Sequence, residues 1–250
     1  SVGLAVAAIH AWCLLREPDN VFHRHAYALA LLLGGTASLV QPLSGDLSAR
    51  HLAQHQPVKL AAMEGQFKTE RGAPLRIGGW PDESRAQTRF ALEIPYGLSL
   101  LAFHDPQAEV QGLDAVPPAD RPPVAVVHLA FQVMVACGTL MAGVAALGGW
   151  LWFRRRRLPD PRWFLRLVVL CGPLGFLALE AGWTVTEVGR QPWVIRGVMR
   201  TAEAVTPMPY LVVPFTVFSL LYLVLGLVVI SLLRRQVFAS PHVPAAEKER

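Results

Sequence analysis

Four apolar stretches constrain this chain more than any other feature. They cover residues 25–42, 124–153, 163–186 and 208–233, each near the roughly 20 residues an α-helix needs to cross a bilayer. Inside lipid every backbone N–H and C=O must be paired within the protein, so apolar runs of this length read as helices. Hydrophobic residues make up 53% of the chain and charged residues 16%, a balance that suits a polytopic membrane protein rather than a soluble domain. Ahead of the first span, "SVGLAVAAIHAWCLL" supplies an apolar run that stops at Arg16, short of a full crossing. It has neither the basic lead-in nor the cleavage site of a signal peptide. We read it as the second half of a helix, which makes the chain a fragment whose N-terminal helices are missing.

The expected architecture is all-α, a polytopic transmembrane helical bundle. Residues 1–42 form a partial helix plus one transmembrane helix, 43–123 an outward-facing loop, 124–233 three transmembrane helices, and 234–250 a cytoplasmic tail. Orientation follows from the basic connections. Arg16, His23 and Arg24 lie between the first two segments, and "RRRRLPDPRWFLR" (154–166) between the third and fourth. The positive-inside rule places both in the cytoplasm, so 43–123 and 187–207 face outward. These anchors account for the net charge of +5, and nucleic acid is not needed to explain it. Cys13, Cys137 and Cys171 fall in apolar helices without a pairing or metal-binding spacing and read as small buried residues.

Polar groups inside the spans are the candidates for chemistry. Glu180 sits in "GPLGFLALEAGWTV", roughly 8–10 Å inside the outer end of its helix at 1.5 Å per residue. An ionised carboxylate at such a depth costs roughly 2.5–3.5 kcal/mol, so a proton relay, an ion site or a metal ligand is the functional reading. Snorkelling to the interface is the structural one. Met134 lies about 15 Å into the next-to-outer loop helix. A lone membrane Met is ordinary packing, but it stands at a depth similar to Glu180, and haem iron accepts Met as an axial ligand. Gln132 can hydrogen-bond a neighbour or a propionate, while His128, His10, His23 and His25 read as interface residues. In the outer loop, Arg190 and Gln191 offer a clamp for an anionic group such as a propionate, with Trp193 at the interface.

Five motifs add to this: "KLAAMEG" (59–65), "GAPLRIGGWPD" (72–82), "AFQVMVACG" (130–138), "LEAGW" (179–183) and "GRQPW" (189–193). In that order they resemble subunit I of the cytochrome bd-type quinol oxidases, over nearly the whole chain but only the C-terminal part of that subunit. The resemblance implies a bacterial inner-membrane respiratory oxidase that oxidises quinol at the outer face and reduces O₂ to water. It implies haems b558, b595 and d (or b in place of d), a second subunit as partner, and the missing N-terminal part of subunit I. By resemblance, Met134 matches the Met ligand of the low-spin haem b558, and Glu180 the acidic iron ligand of the b595/d region. Lys59 and Glu64 match the pair linked to quinol oxidation, in a loop of the shorter kind. Gln132 stands where some members carry Arg, and Phe176 where some carry Trp. The competing expectations are a truncated, non-catalytic scaffold that binds no haem, and an ion or proton transporter built on Glu180.

Overall fold

The computed structural model describes residues 1–205 and 207–238 and divides into two units, Ser1–Ala204 and Val205–Arg250. The tail expected at 234–250 lies largely outside the described residues.

The first unit is built on α1 (Val2–Arg16), α2 (Val21–His55), α5 (Val124–Arg155), α6 (Arg162–Cys171) and α7 (Leu174–Val188). Between α2 and α5 come the short helices α3 (Pro57–Glu64) and α4 (Gly97–Phe103) and six strands of two or three residues each. The second unit contains α8 (Val212–Phe238). Four helical stretches are long and apolar enough to cross a membrane: Val21–His55, Val124–Arg155, Arg162–Val188 and Val212–Gln236. Large apolar side chains such as Leu32, Leu33, Leu140 and Leu170 stand exposed on these helices, as a surface facing lipid or other helices requires.

Helix packing relies on small residues. A Cβ on Gly3 of α1 would lie 2.8 Å from the Gly34 Cα of α2, so the two backbones touch, as is common where membrane helices approach closely. Ala7, Ala11, Leu14, Tyr27, Ala30, Leu151, Phe164, Leu165 and Val168 form the core that joins α1, α2, α5 and α6. The Tyr27 hydroxyl closes one end by donating to the Pro159 carbonyl at 3.0 Å. Arg24 lies 3.5 Å from Asp160 beside it. The two short basic connections therefore meet at the same end of the bundle.

Two differences from the hydropathy reading concern helix ends. α2 continues past residue 42, through Pro42, to His55. Apolarity fades there, but Leu, Ala, Arg and Gln are good helix formers, and an Arg50–Asp46 ion pair one turn apart supports the extension. The apolar run 163–186 is one candidate span but two helices, interrupted at Gly172–Pro173. Proline there has no N–H to donate and crowds the preceding turn. A Cβ on Gly172 would also approach Ala8 Cβ to 2.9 Å.

The segment after α2 closes the other end of the bundle. Every residue of α3 from Leu60 to Glu64 is buried, and Val58, Ala61, Ala62 and Met63 share a core with Val124, Val127 and Val185. The strands then pair in nested antiparallel fashion: β1 (Glu70–Arg71) with β6 (Glu109–Val110), β2 (Leu75–Ile77) with β5 (Leu92–Ile94), and β3 (Trp80–Asp82) with β4 (Gln87–Arg89). Strands this short carry no readable period-2 pattern, which is why an irregular loop was the expectation. A last pair, β7 (Trp193–Ile195) and β8 (Met199–Arg200), follows α7.

Candidate functional site

Glu64 is the last residue of α3. Gly65 caps the helix in the left-handed conformation, φ +60°, and has no room for a side chain, because a Cβ would run into the Thr88 hydroxyl. This tight stop leaves Glu64 only 5% exposed, with no hydrogen-bond partner for its Oε2 among the described residues. Burial pushes its carboxyl up to about 7, and the positive charge of Arg76 opposes the rise.

Arg76 is the organising cation. Its register partner across β2 and β5 is Glu93, and its Nε donates to Glu93 Oε1 at 2.9 Å. Its guanidinium also lies 3.8 Å from Glu70 and donates to the Gln66 side-chain oxygen. Gln66 in turn donates to Glu70 Oε1 at 2.8 Å. The Arg76 side chain is 13% exposed, whereas Glu70 and Glu93 are 40% and 50% exposed, so the cation is buried and its carboxylate partners stand at the water boundary.

The structure does not pair Lys59 with Glu64. Five residues apart on a helix, they diverge by about 140°, and no ion pair joins them among the described residues. Lys59 turns to the end of α7, where Nζ donates to the Thr186 carbonyl at 3.2 Å and the aliphatic stem lies against Gly189. Burial lowers the Lys59 ammonium below its ordinary range, Arg190 adds to this, and Glu187 opposes it. Lys59 thereby lines a cavity of about 670 Å³ together with Arg190, Gln191, Trp193 and Arg196, so both residues expected in a clamp, Arg190 and Gln191, line one cavity, with the interface residue Trp193 beside them. Gln191 accepts from the Thr201 hydroxyl at 2.6 Å. The Arg200 guanidinium covers the Trp193 ring and donates to Asp120 at 2.7 Å.

A second cavity, of about 490 Å³, lies along α7 and α5. Met134, Gly138, Gly175, Gly182, Trp183 and Glu187 are among its walls. A Cβ on Gly182 would stand 3.0 Å from Met134 Sδ, so the thioether packs directly against the α7 backbone at the cavity wall. A Cβ on Gly138 of α5 would meet nothing within 4 Å, and a thioether is a fitting axial donor for haem iron. Among the described residues there is no cluster of three His, Cys, Asp or Glu able to hold a bare ion. The residues present fit a group held by a single ligand from this chain.

Glu180 lines neither cavity; its side chain is exposed. The carboxylate that shares the Met134 cavity is Glu187, two helical turns further on, 3.7 Å from Arg190. An isolated acid among apolar neighbours drew attention to Glu180 in the sequence. Glu187, just before "GRQPW", opens the segment 187–207 expected to face outward. Gln132 also differs from expectation: it faces the strands rather than a cavity, donating to the Arg76 carbonyl and accepting from the Gly78 N–H, both at 3.0 Å. His128, expected as an interface residue, is fully buried beside it. Its spacing of four residues from Gln132 was the available signal.

Comparison with known proteins follows these features. The family described as cytochrome bd terminal oxidase subunit I matches residues 1–241. A putative cytochrome bd menaquinol oxidase subunit I of Bacillus subtilis is 38% identical over 234 residues, covering 91% of this chain and 52% of that protein. A cytochrome bd ubiquinol oxidase subunit 1 of the same organism is 33% identical over 247 residues, covering 93% and 52%. The solved bd oxidase of Geobacillus thermodenitrificans superposes with a TM-score of 0.82 at 40% identity, over 96% of this chain and 55% of that one. The chain thus spans about half the length of these relatives.

Proposed function

The chain belongs to the cytochrome bd terminal oxidase subunit I family, a membrane family of respiratory oxidases, and from that premise we propose that it forms the quinol-oxidising half of such a subunit. In this reading the end of the bundle closed by α3 and the strands faces the outer side of a bacterial inner membrane. The rest of subunit I and a second subunit complete the oxidase.

The observation that carries the reading is Glu64: a buried carboxyl, with one oxygen unpartnered, titrating near neutrality beside Arg76. Quinol gives up two protons with its two electrons, and a base poised near the working pH is suited to accept one. Arg76 favours the ionised form that does the accepting. Glu70 and Glu93, on the solvent side of Arg76, give a released proton carboxylates to visit on its way to water. Lys59 and Arg190, in their own cavity, supply positive charge for an anionic group, and Trp193 an apolar wall.

Met134 would hold the low-spin haem from the α5 side, beside Gly138, and Glu180, exposed on α7, would keep the acidic position of the b595/d region that the family resemblance gives it. Bound there, the haem would supply one-electron redox chemistry for quinol oxidation. The residues of this chain would hold the group through Met134 and keep the proton acceptor Glu64 buried at the closed end of the bundle.

The test is Glu64→Gln in the complete oxidase. Quinol-driven O₂ consumption should fall by about 100-fold or more, the range expected for loss of a general base, with haem absorption unchanged. A wild-type rate would overturn the reading.

A further inference from the structure

His128 and Gln132 lie four residues apart on α5, on one face of the helix. Both reach across fifty residues of chain or more to the backbone of the closing segment. The His128 ring is fully buried, with Nδ1 2.8 Å from the Met63 carbonyl oxygen and Nε2 3.1 Å from that of Gly78. Gln132 donates to the Arg76 carbonyl and accepts from the Gly78 N–H, each at 3.0 Å. Gly78 is therefore met at both of its backbone groups, its N–H donating to Gln132 and its carbonyl facing the His128 ring, which when neutral donates to one of its two carbonyl neighbours. Its left-handed conformation of φ +69° is one that glycine adopts without strain.

The points gripped are not scattered. Met63 immediately precedes Glu64, and Arg76 is the cation that faces it. All four contacts are to main chain, so the grip fixes where the chain runs. Two residues beyond Gln132 the same helix carries Met134. One rigid element thus bears the contacts to the proposed proton acceptor, to its counter-charge and to the proposed electron acceptor.

We propose that His128 and Gln132 form a latch that positions Glu64 and Arg76 against the helix bearing Met134, making both of them positioning residues for quinol oxidation. The proposal rests on the functional reading above. A side chain held on a helix positions a site more firmly than one on a loop, and displacement of a reacting group by about 1 Å costs on the order of 100-fold in rate. Removing either side chain also leaves buried backbone groups of the closing segment without partners.

The experiment uses the complete oxidase with Gln132→Met, which keeps the shape and removes both bonds, Gln132→Glu, which keeps only the acceptor for Gly78, and His128→Ala. Quinol-driven kcat/KM should fall about 10-fold or more in Gln132→Met, mostly in kcat, and less in Gln132→Glu. The dithionite-reduced spectrum of the low-spin haem should not change, and trypsin should cut the 65–123 segment faster. Wild-type turnover in Gln132→Met overturns the latch. So does loss of the low-spin haem spectrum in that variant, which would show that Gln132 serves the cofactor. If His128→Ala does not accumulate, the Gln132 pair still decides. Slow Gln132→Met beside a wild-type Glu64→Gln would overturn the functional reading alone; the converse would overturn the latch alone.

Discussion

The end of the bundle closed by α3 and the cavity beside Met134 achieve opposite things with adjacent stretches of α5. At the closed end, polar groups are packed to near completeness: Arg76 meets Gln66, Glu70 and Glu93, and Gln132 uses both ends of its amide. One oxygen of Glu64 is an exception among the described residues, as is Arg50 Nε. The cavity walls are largely apolar, and the distinctive donor is a neutral thioether. A site for proton chemistry is made by setting one group among fixed charges. A site for a large apolar cofactor is made by leaving open volume between apolar helices.

That contrast can be broken at several points. The largest effect is expected from Met134→Leu: in the complete oxidase the low-spin haem spectrum should be lost while trypsin resistance of the 65–123 segment stays as in wild type. A retained spectrum would remove Met134 from the site. Next, Glu180→Ala should remove part of the high-spin haem signal and leave the low-spin spectrum as in wild type, because Glu180 does not border the Met134 cavity. An unchanged high-spin signal would remove Glu180 from the site.

A smaller effect concerns pH. Burial raises the Glu64 carboxyl and Arg76 holds it down to about 7, so Arg76→Gln leaves burial unopposed. The ionised base then appears only at higher pH, and the acid limb of quinol oxidation should move upward from about 7, with Glu70 and Glu93 adding to the shift once they lose their partner. An unmoved limb would mean that another group sets it. The smallest effect is expected from Gly65→Ala. A left-handed alanine costs about 1–2 kcal/mol, and its methyl would displace the Thr88 hydroxyl that donates to the Gly65 carbonyl. Faster proteolysis of the closing segment with an unchanged haem spectrum would separate the two regions once more.

Much of this was legible in the sequence. The stretches 25–42 and 124–153 each lie in a long helix, 208–233 lies largely in another and 163–186 in two shorter ones; Met134 and Arg190 stood out by type and position, Lys59 and Glu64 by resemblance to the family. What escaped were partners. The short strands β1–β6 had no pattern to betray them. The helical extension of α2 to His55 was hidden because hydropathy reports burial in lipid, not helix formation. His128 looked like any histidine near a membrane surface, since neither of its contacts is local: one lies 65 residues away and the other 50.

The sequence by itself determined that the chain crosses a membrane several times, where the basic connections and the polar segment fall, and which rare side chains to suspect. These follow from composition over a window of neighbours, which a bilayer reads directly. Tertiary structure alone decided which suspects share a space. It sent Lys59 to the end of α7 and Glu64 to Arg76, turned Gln132 and His128 toward the backbone of the closing segment, and put Glu187 rather than Glu180 beside Met134. Burial and partnership depend on contacts between residues far apart in the chain, and those same contacts give the Glu64 carboxyl a proton affinity that no run of neighbouring residues encodes.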